Sequence, residues 1–279
     1  MTSRLTDPTV LPGARETEER AARIAARLPA ELAPLGRIAL DYAWSWHPDG
    51  PELFRSLDPA AWELNGRNPV RQLGDLAPHA LERMSNGSLR ERVEGLARDL
   101  DAIRARADTA VDGLDGPIVF VCAEFGVHPS LPIYSGGLGA LAGDILKQAS
   151  DHALPLLGVG LLYRKGYFRQ QIDADGHQEH NYPDYDLTRL PLSRVQDVNG
   201  LPLTVTVELP GRNLSVAVWL AQVGRVPVLL LDTDVAENAV EDRPITHILY
   251  VRGREMRLHQ ELVLGIGGVR AIRALRLQP

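Results

Sequence analysis

A glycine-rich stretch is the part of this sequence best suited to chemistry. Gly136, Gly137 and Gly139 fall within four residues, between an apolar run at 118–123 and a helical pattern at 138–152. Glycines let backbone N–H groups approach a ligand closely, and the start of a helix adds partial positive charge. Together these features predict a site for phosphate or another anion.

The elements on either side of the glycines define where this site lies. The run at 118–123 is rich in β-branched residues and predicts a buried strand, with Cys122 as an inert core thiol. Glu124 follows that strand directly, at the mouth of the predicted site. Its carboxylate would orient either a ligand or the loop itself, and the sequence does not decide between these roles.

Two other polar groups are weaker candidates. His177 and His180 suggest a metal, but no third ligand follows at a recognisable spacing, which favours solvated loop histidines. Asp232 and Asp234 could hold Mg²⁺, although acidic residues at a strand end more often cap the next turn. The sequence therefore predicts no metal site.

Composition narrows the class of protein. The chain has 279 residues, 44% hydrophobic and 24% charged, and a net charge of −6 with no basic stripe, which argues against a general nucleic-acid binder. No apolar run approaches membrane-spanning length, and the N-terminus lacks the apolar core of a signal peptide. These features predict a cytoplasmic protein with neither nucleic acid nor membrane as a partner.

The first part of the chain is predicted to be helical. Residues 1–15 form a flexible lead-in, residues 16–107 form a helical N-terminal domain, and the polar segment 108–116 connects this domain to the rest of the chain. Helices are predicted at 17–28, 30–46, 51–57, 59–64 and 88–107, with a turn at 65–70. Asp58 is a predicted helix cap because a proline follows it. Tyr42, Trp44 and Trp46 either pack between helices, which is favoured, or stack on a sugar.

The pattern becomes α/β from residue 117 to 279. Apolar strands are predicted at 154–163 and 226–231, with one hairpin around the turn at 173–176 and another joining 203–209 to 214–220. An amphipathic helix at 254–275 comes last. A helix on a parallel sheet normally leads to another strand, so the α/β part is predicted to be incomplete.

The glycines also match a dinucleotide-binding fingerprint, which gives a nicotinamide-dependent oxidoreductase as an alternative. Gly137 and Gly139 with Ala142 fit the G-x-G-x-x-A form. However, about a dozen residues separate them from the strand, whereas the fingerprint follows its strand almost directly. Arg164 and Lys165 also stand where the acidic ribose ligand is expected.

A series of ordered blocks resembles the α-glucan phosphorylases, the glycogen phosphorylase family. The resemblance spans about residues 30–275 and is to the short bacterial branch, which has a helical domain before its first catalytic domain. The blocks are Glu124-Phe-Gly126, Leu131-Pro-Ile-Tyr-Ser-Gly-Gly-Leu-Gly139, Leu141-Ala-Gly-Asp144, Gly158-Val-Gly-Leu-Leu-Tyr163, Gly166-Tyr-Phe-Arg-Gln170, Leu230-Leu-Asp-Thr-Asp234, Glu241-Asp-Arg243, residues 260–270, Trp44-Ser-Trp-His-Pro48, Leu57-Asp-Pro59 and Asn68-Pro-Val70.

The resemblance implies both a fold and an activity. The fold would be α/β, a helical segment followed by an incomplete doubly wound, Rossmann-like first domain of the GT-B type with β-hairpin insertions. The activity would be cleavage of an α-1,4-glucan by inorganic phosphate to give glucose 1-phosphate, with pyridoxal phosphate as cofactor. Gly136 and Gly137 would line the phosphate site, and Leu138 would contact the glucosyl unit through its backbone. Oligomeric state does not follow from the resemblance.

The lysine that binds the cofactor is missing from the matched blocks. Neither Lys147 nor Lys165 has the context of that lysine in the family. The chain is therefore interpreted as the N-terminal part of a phosphorylase, without the cofactor domain and inactive alone. The remaining alternative to an enzyme is a non-catalytic glucan-binding module that uses Tyr42, Trp44 and Trp46.

Overall fold

The computed structural model places a helical segment ahead of a mixed β-sheet, and it describes residues 14–77, 79, 87–113, 116–197 and 199–279. The helices of the first segment are α1 Ala14–Ala25, α2 Leu35–Ile38, α3 Gly50–Leu57, α4 Pro59–Leu64, α5 Pro69–Asp75 and α6 Gly87–Ala105, with 3₁₀ turns at Ala30–Leu32 and Tyr42–Ser45. The predicted lead-in lies outside the described residues up to residue 13.

Capping residues explain where several of these helices begin. Asp58 accepts the Ala61 N–H at 2.9 Å, as the sequence predicts. The prediction of one helix over 30–46 is wrong, because Pro34 interrupts it and Asp41 accepts the Ala43 N–H to begin a new turn. The prediction of a turn over 65–70 is wrong at its end, because Asn68 accepts the Arg71 N–H at 3.2 Å and so caps helix α5.

The main sheet is mixed. Its strands are β1 Ile118–Val121, β2 Leu156–Leu161, β5 Ser193–Arg194, β6 Thr204–Leu209, β7 Arg212–Val223 and β8 Val226–Asp232. Strands β1, β2 and β8 are neighbours and parallel, while β7 pairs antiparallel with β8, β6 and β5. The hairpin predicted around the turn at 173–176 is a separate pair, β3 Arg169–Ile172 and β4 Gln178–Asn181.

Helices join the parallel strands. Helix α7, Gly137–Asp151, connects β1 to β2, and β8 is followed by α8 Arg254–Leu262, a π-helical turn Val263–Gly267 and α9 Gly268–Ala274. Strand β1 is at the edge of the sheet in the described part of the chain, and Val121 is half exposed. The prediction of a buried strand over 118–123 is therefore wrong at this edge, and Cys122 is half-buried rather than in the core.

The aromatic residues of the helical segment are in its core. Trp44 is fully buried and packs edge-on against Phe54 and Trp62, with ring centroids 5.2 and 5.7 Å away. Tyr42 is also fully buried, and the Trp46 indole N–H donates to Asp151 at 3.1 Å. Packing between elements is the role these contacts support, so Tyr42 and Trp44 do not form a sugar-stacking platform.

A buried carboxylate joins the helical segment to the sheet. Asp41 is 1% exposed, pairs with Arg104 at 2.5 Å and accepts the Gly224 N–H at 2.7 Å from the turn between β7 and β8. Arg104 belongs to α6 of the helical segment, so the bond that crosses to the sheet is the one from Gly224, and its charged acceptor makes it stronger than a neutral hydrogen bond. The predicted division into domains at 16–107 and 117–279 stays a prediction.

Candidate anion-binding site

The candidate site is the N-terminus of α7, reached from β1 through residues 122–136. The helix begins at Gly137, one residue earlier than predicted, so Gly137 and Gly139 lie in its first turn rather than in the preceding loop. Gly136 is the N-cap residue, and no side chain caps this end among the described residues. The first hydrogen bond of the helix runs from the Ala140 N–H to the Gly136 carbonyl, at 3.1 Å.

The first N–H groups of α7 are free to bind a ligand. In the described part of the chain, the N–H groups of Gly137 and Leu138 have no acceptor, as helix geometry requires at an uncapped end. Both residues are exposed. A Cβ added at Gly136 or Gly137 would meet no atom within 4 Å, so the space beside this backbone is open. The partial positive charge of the helix end is thus presented to solvent.

Glu124 holds the segment that leads into the helix. It is 2% exposed, and its Oε2 accepts the Ser135 N–H at 2.7 Å while its Oε1 accepts the Tyr250 O–H. A Cβ at Gly139 would lie 2.9 Å from Oε2, which explains why a glycine stands there. Both oxygens of Glu124 thus contact groups of the protein itself, one of them in the segment that leads into α7.

Sequence reasoning does not find Tyr250. It is 126 residues from Glu124, and no motif relates the two positions. The hydrogen bond to Glu124 raises the pKa of Tyr250 to about 12, because it favours the protonated phenol. The site therefore depends on a contact between the segment after β1 and the segment before α8.

Replacing Glu124 with glutamine is expected to loosen this segment. The amide has one acceptor oxygen, which can keep the Ser135 N–H, but its –NH2 then faces the Tyr250 hydroxyl, which must turn to accept instead of donating. Both hydrogen bonds also lose the strength that the carboxylate charge gives them. We expect a loss of about 1–3 kcal/mol in the free energy of unfolding, measured by urea denaturation. Tyr250→Phe, which removes the phenol donor, is the second variant. If neither variant changes the free energy of unfolding, these hydrogen bonds do not contribute to stability.

His128 anchors the same segment to the helical core. Its ring packs edge-on against Trp44 with centroids 4.8 Å apart, and its Nδ1 accepts the Ser130 N–H at 3.2 Å. Burial lowers the pKa of His128 to about 4, and the positive charges of Lys147 and Arg67 act in the same direction. The folded chain therefore holds a neutral His128.

Acid is expected to destabilise the chain through His128. The unfolded chain takes up this proton near pH 6.5 and the folded chain only near pH 4, so the contribution is complete above pH 6.5 and is lost as pH falls towards 4. The loss of folding free energy over this window is about 3 kcal/mol, and it is measured by comparing unfolding curves of the native chain with those of His128→Gln. Parallel pH dependence in the two proteins would contradict it.

Asp232 and Asp234, which the sequence suggests as possible Mg²⁺ ligands, contact an arginine instead. Asp232 is fully buried and pairs with Arg164 at 2.8 Å, and Asp234 contacts the same arginine at 3.3 Å. These carboxylates are thus neutralised by an arginine rather than open to Mg²⁺.

The two histidines of the hairpin lie at the surface. His177 and His180 are exposed, as predicted, but His180 lies on strand β4 rather than in a loop. Asp173, Asp175 and His177 offer ligand atoms within 4.8 Å of one another. However, Asp173 Oδ1 already accepts the N–H groups of Asp175 and His177, which closes the turn.

The geometry disfavours a dinucleotide site. Residues 122–136 separate β1 from α7, whereas the fingerprint needs its first glycine in a tight turn directly after the strand. Arg164, the residue that would take the place of the ribose ligand, is held by Asp232 and Asp234.

Comparison with known proteins identifies the relatives of this chain. Residues 28–131 match a family described as "Protein of unknown function (DUF3417)". The glycogen phosphorylase of Mycobacterium tuberculosis (strain H37Rv) is 45% identical over 263 residues, which cover 90% of this chain and 30% of that protein. The maltodextrin phosphorylase of Thermococcus litoralis is 38% identical over 262 residues, covering 92% and 31%. The glycogen phosphorylase of Aquifex aeolicus is 38% identical over 237 residues, covering 84% and 34%.

The described part of the chain is a mixed α/β protein with a helical N-terminal segment. The chain is homologous to the N-terminal portion of the glycogen and maltodextrin phosphorylases, as its sequence blocks indicate. It spans about 30% of the length of the first of these relatives. Among the described residues, none of the helices has the length and apolarity needed to cross a bilayer.

Proposed function

We propose that this chain forms the N-terminal part of an α-1,4-glucan phosphorylase. The enzyme would transfer the terminal glucosyl unit of a glucan to inorganic phosphate and release glucose 1-phosphate. Relatives named glycogen or maltodextrin phosphorylase support this class of substrate. The single observation that carries the proposal is the uncapped start of α7, where Gly136 and Gly137 leave the backbone open to an anion.

In this proposal the start of α7 binds substrate. The N–H groups of Gly136 and Gly137 donate to phosphate oxygens, and the Leu138 backbone contacts the glucosyl unit. Fixed backbone dipoles stabilise phosphate charge without reorganising, which is the property a transfer reaction needs. Glu124 acts through the loop, because both of its oxygens are already used by Ser135 and Tyr250.

Pyridoxal phosphate would supply a phosphate group that moves a proton to and from the substrate phosphate. The residues of this chain do not fit its covalent attachment. Lys147 lies ten residues after Gly137, about 15 Å along the helix, with its Nζ 3.8 Å from Asp144. Lys165 places its Nζ 3.7 Å from Asp184. We therefore propose that the cofactor's lysine is not one of these two and that the 279-residue chain alone forms no glucose 1-phosphate.

The finer description of the fold is also a proposal. Three parallel strands with α7 between β1 and β2 suit the start of a doubly wound GT-B domain over residues 117–279, preceded by a helical domain over 16–107. In the same proposal the protein is cytoplasmic, and its partners are an α-1,4-glucan and inorganic phosphate.

A chimaera tests the proposed function. The matched N-terminal portion of the Mycobacterium tuberculosis glycogen phosphorylase is replaced with this chain, and glucose 1-phosphate is measured with glycogen and phosphate as substrates. We expect activity and a bound pyridoxal chromophore in the chimaera, and neither in the 279-residue chain. A folded chimaera that binds pyridoxal phosphate but forms no product would contradict the proposal, as would product formation by the chain alone.

A further inference from the structure

A second cavity, unrelated to the start of α7, lies between the helical segment and the sheet. Its volume is about 520 Å³, within the range of small-molecule sites. Helix α1 forms one wall through Glu16, Arg20 and Arg23, which recur at helical spacing, and Arg27 follows the helix. Residues of α5, the 3₁₀ turn Leu187–Arg189 and Trp219 of β7 form the opposite wall.

The residues that line the cavity carry more positive than negative charge. Four arginines line it, Arg20, Arg23, Arg27 and Arg189, against two carboxylates, Glu16 and Asp75. Asp75 pairs with Arg189. Arg20 donates to the carbonyls of Thr188 and Leu190, and Arg27 donates to the carbonyl of Gly74. Within the described residues neither forms an ion pair, although Glu16 and Asp186 lie near enough to Arg20 to interact with its charge.

Arg23 is the guanidinium left for a ligand. Among the described residues it has neither a hydrogen-bond acceptor nor an ion-pair partner, yet it lines the cavity beside Arg20. Two neighbouring like charges without a shared anion are unfavourable, and the planar fork of arginine suits phosphate oxygens. Arg27 follows Arg23 by four residues and also lines the cavity, so these two arginines mark the anion position at one end of it.

The rest of the cavity indicates what the anion is attached to. Glu16 Oε2 is buried and has no hydrogen-bond partner among the described residues, so it can accept a hydrogen bond from a hydroxyl group. Glu16 precedes Arg23 by seven residues, about 10 Å along the helix, which keeps the two ligand groups apart. Trp219 adds a ring, on which Arg194 packs at 5.3 Å, and such rings bind the apolar faces of sugars.

We propose that this cavity binds a phosphorylated sugar. Its phosphate lies at Arg23 and Arg27, a hydroxyl group donates to Glu16, and the sugar ring lies against Trp219. The ligand bridges α1, the 3₁₀ turn Leu187–Arg189 and strand β7, so its binding ties the first helix to the sheet.

Calorimetry with ribose 5-phosphate as probe tests the proposal on the 279-residue chain. A pentose phosphate lacks the glucosyl unit of the proposed phosphorylase substrate, so this result is separate from that of the proposed function. We expect saturable binding that weakens about 10- to 100-fold in Arg23→Ala, from loss of a charge-assisted hydrogen bond. Arg15→Ala on the same helix, outside the cavity, and Gly137→Ala at the start of α7 should bind normally.

A spectroscopic readout locates the probe. In ¹H–¹⁵N spectra, the indole N–H signal that disappears in Trp219→Phe should shift when ribose 5-phosphate is added. Ribose without phosphate should bind much more weakly. Absence of binding, or binding that Arg23→Ala leaves unchanged while Gly137→Ala abolishes it, would overturn the proposal. If succinate binds as tightly as ribose 5-phosphate, the cavity binds dianions in general, and this result would also overturn the proposal of a phosphorylated sugar.

Discussion

Replacing Arg225 with methionine is expected to cost about 3–5 kcal/mol of folding free energy. Arg225 is in the turn between β7 and β8, and its side chain is 2% exposed. It pairs with Asp108 and donates to the carbonyls of Ile103, Arg104 and Arg106 at 3.2, 2.7 and 2.7 Å. These carbonyls end α6, where a positive charge also complements the helix dipole.

The substitution leaves a buried carboxylate and three carbonyls without their donor, and this accounts for the size of the effect. Urea denaturation followed by circular dichroism measures it. Arg225→Met combined with Asp108→Asn should recover part of the loss, since the uncompensated charge is removed. Arg90→Met, at an exposed pair with Glu94 on α6, should leave the transition midpoint unchanged. If Arg225→Met lowers the free energy of unfolding no more than Arg90→Met does, the stabilising role given to Arg225 is wrong.

Replacing Gly143 with alanine is expected to destabilise the chain by about 2–3 kcal/mol, through overpacking that exceeds the gain in helix propensity. The new Cβ would lie 2.5 Å from the carbonyl carbon of Gly126 and closer still to its oxygen. Gly126 cannot retreat easily, because its N–H is bonded to the Gly139 carbonyl at 2.7 Å. The clash is therefore between two backbones.

Gly137→Ala is the matched control for Gly143→Ala. Both glycines are in α7, but a Cβ at Gly137 meets no atom within 4 Å. Alanine there should leave the stability unchanged or raise it by up to about 1 kcal/mol. Thermal unfolding of the two variants compares them directly. Equal stability of both would show that the segment 122–136 does not pack against α7 as described.

Much of the fold is predictable from the sequence, because local patterns specify it. The apolar spacing predicts a helix at 138–152, and α7 is found at Gly137–Asp151; both hairpins lie where turn residues separate alternating strands. Asp58 caps its helix as expected. The ordered sequence blocks also indicate the homology, which the relatives confirm.

The remaining features depend on what lies nearby in space. The apolar run at 118–121 has the composition of an interior strand, but its neighbour on one side is β2 and its outer edge is unpaired among the described residues. The contact of Glu124 with Tyr250 and that of Asp41 with Gly224 each join distant segments, with the partners 126 and 183 residues apart in sequence. The ligand roles of Gly136, Gly137 and Leu138 stay predictions.

The central claim is that the free N–H groups at the start of α7 bind the substrate phosphate, and Gly137→Pro in the chimaera tests it most directly. Proline is tolerated at the first position of a helix and removes only an N–H that has no acceptor in the described chain. We predict a loss of about 100- to 1000-fold in kcat/KM for phosphorolysis, with unchanged thermal unfolding. Loss of a hydrogen-bond donor to the reacting phosphate should have a much larger effect than about threefold. A kcat/KM within about threefold of that of the unsubstituted chimaera would therefore contradict the claim.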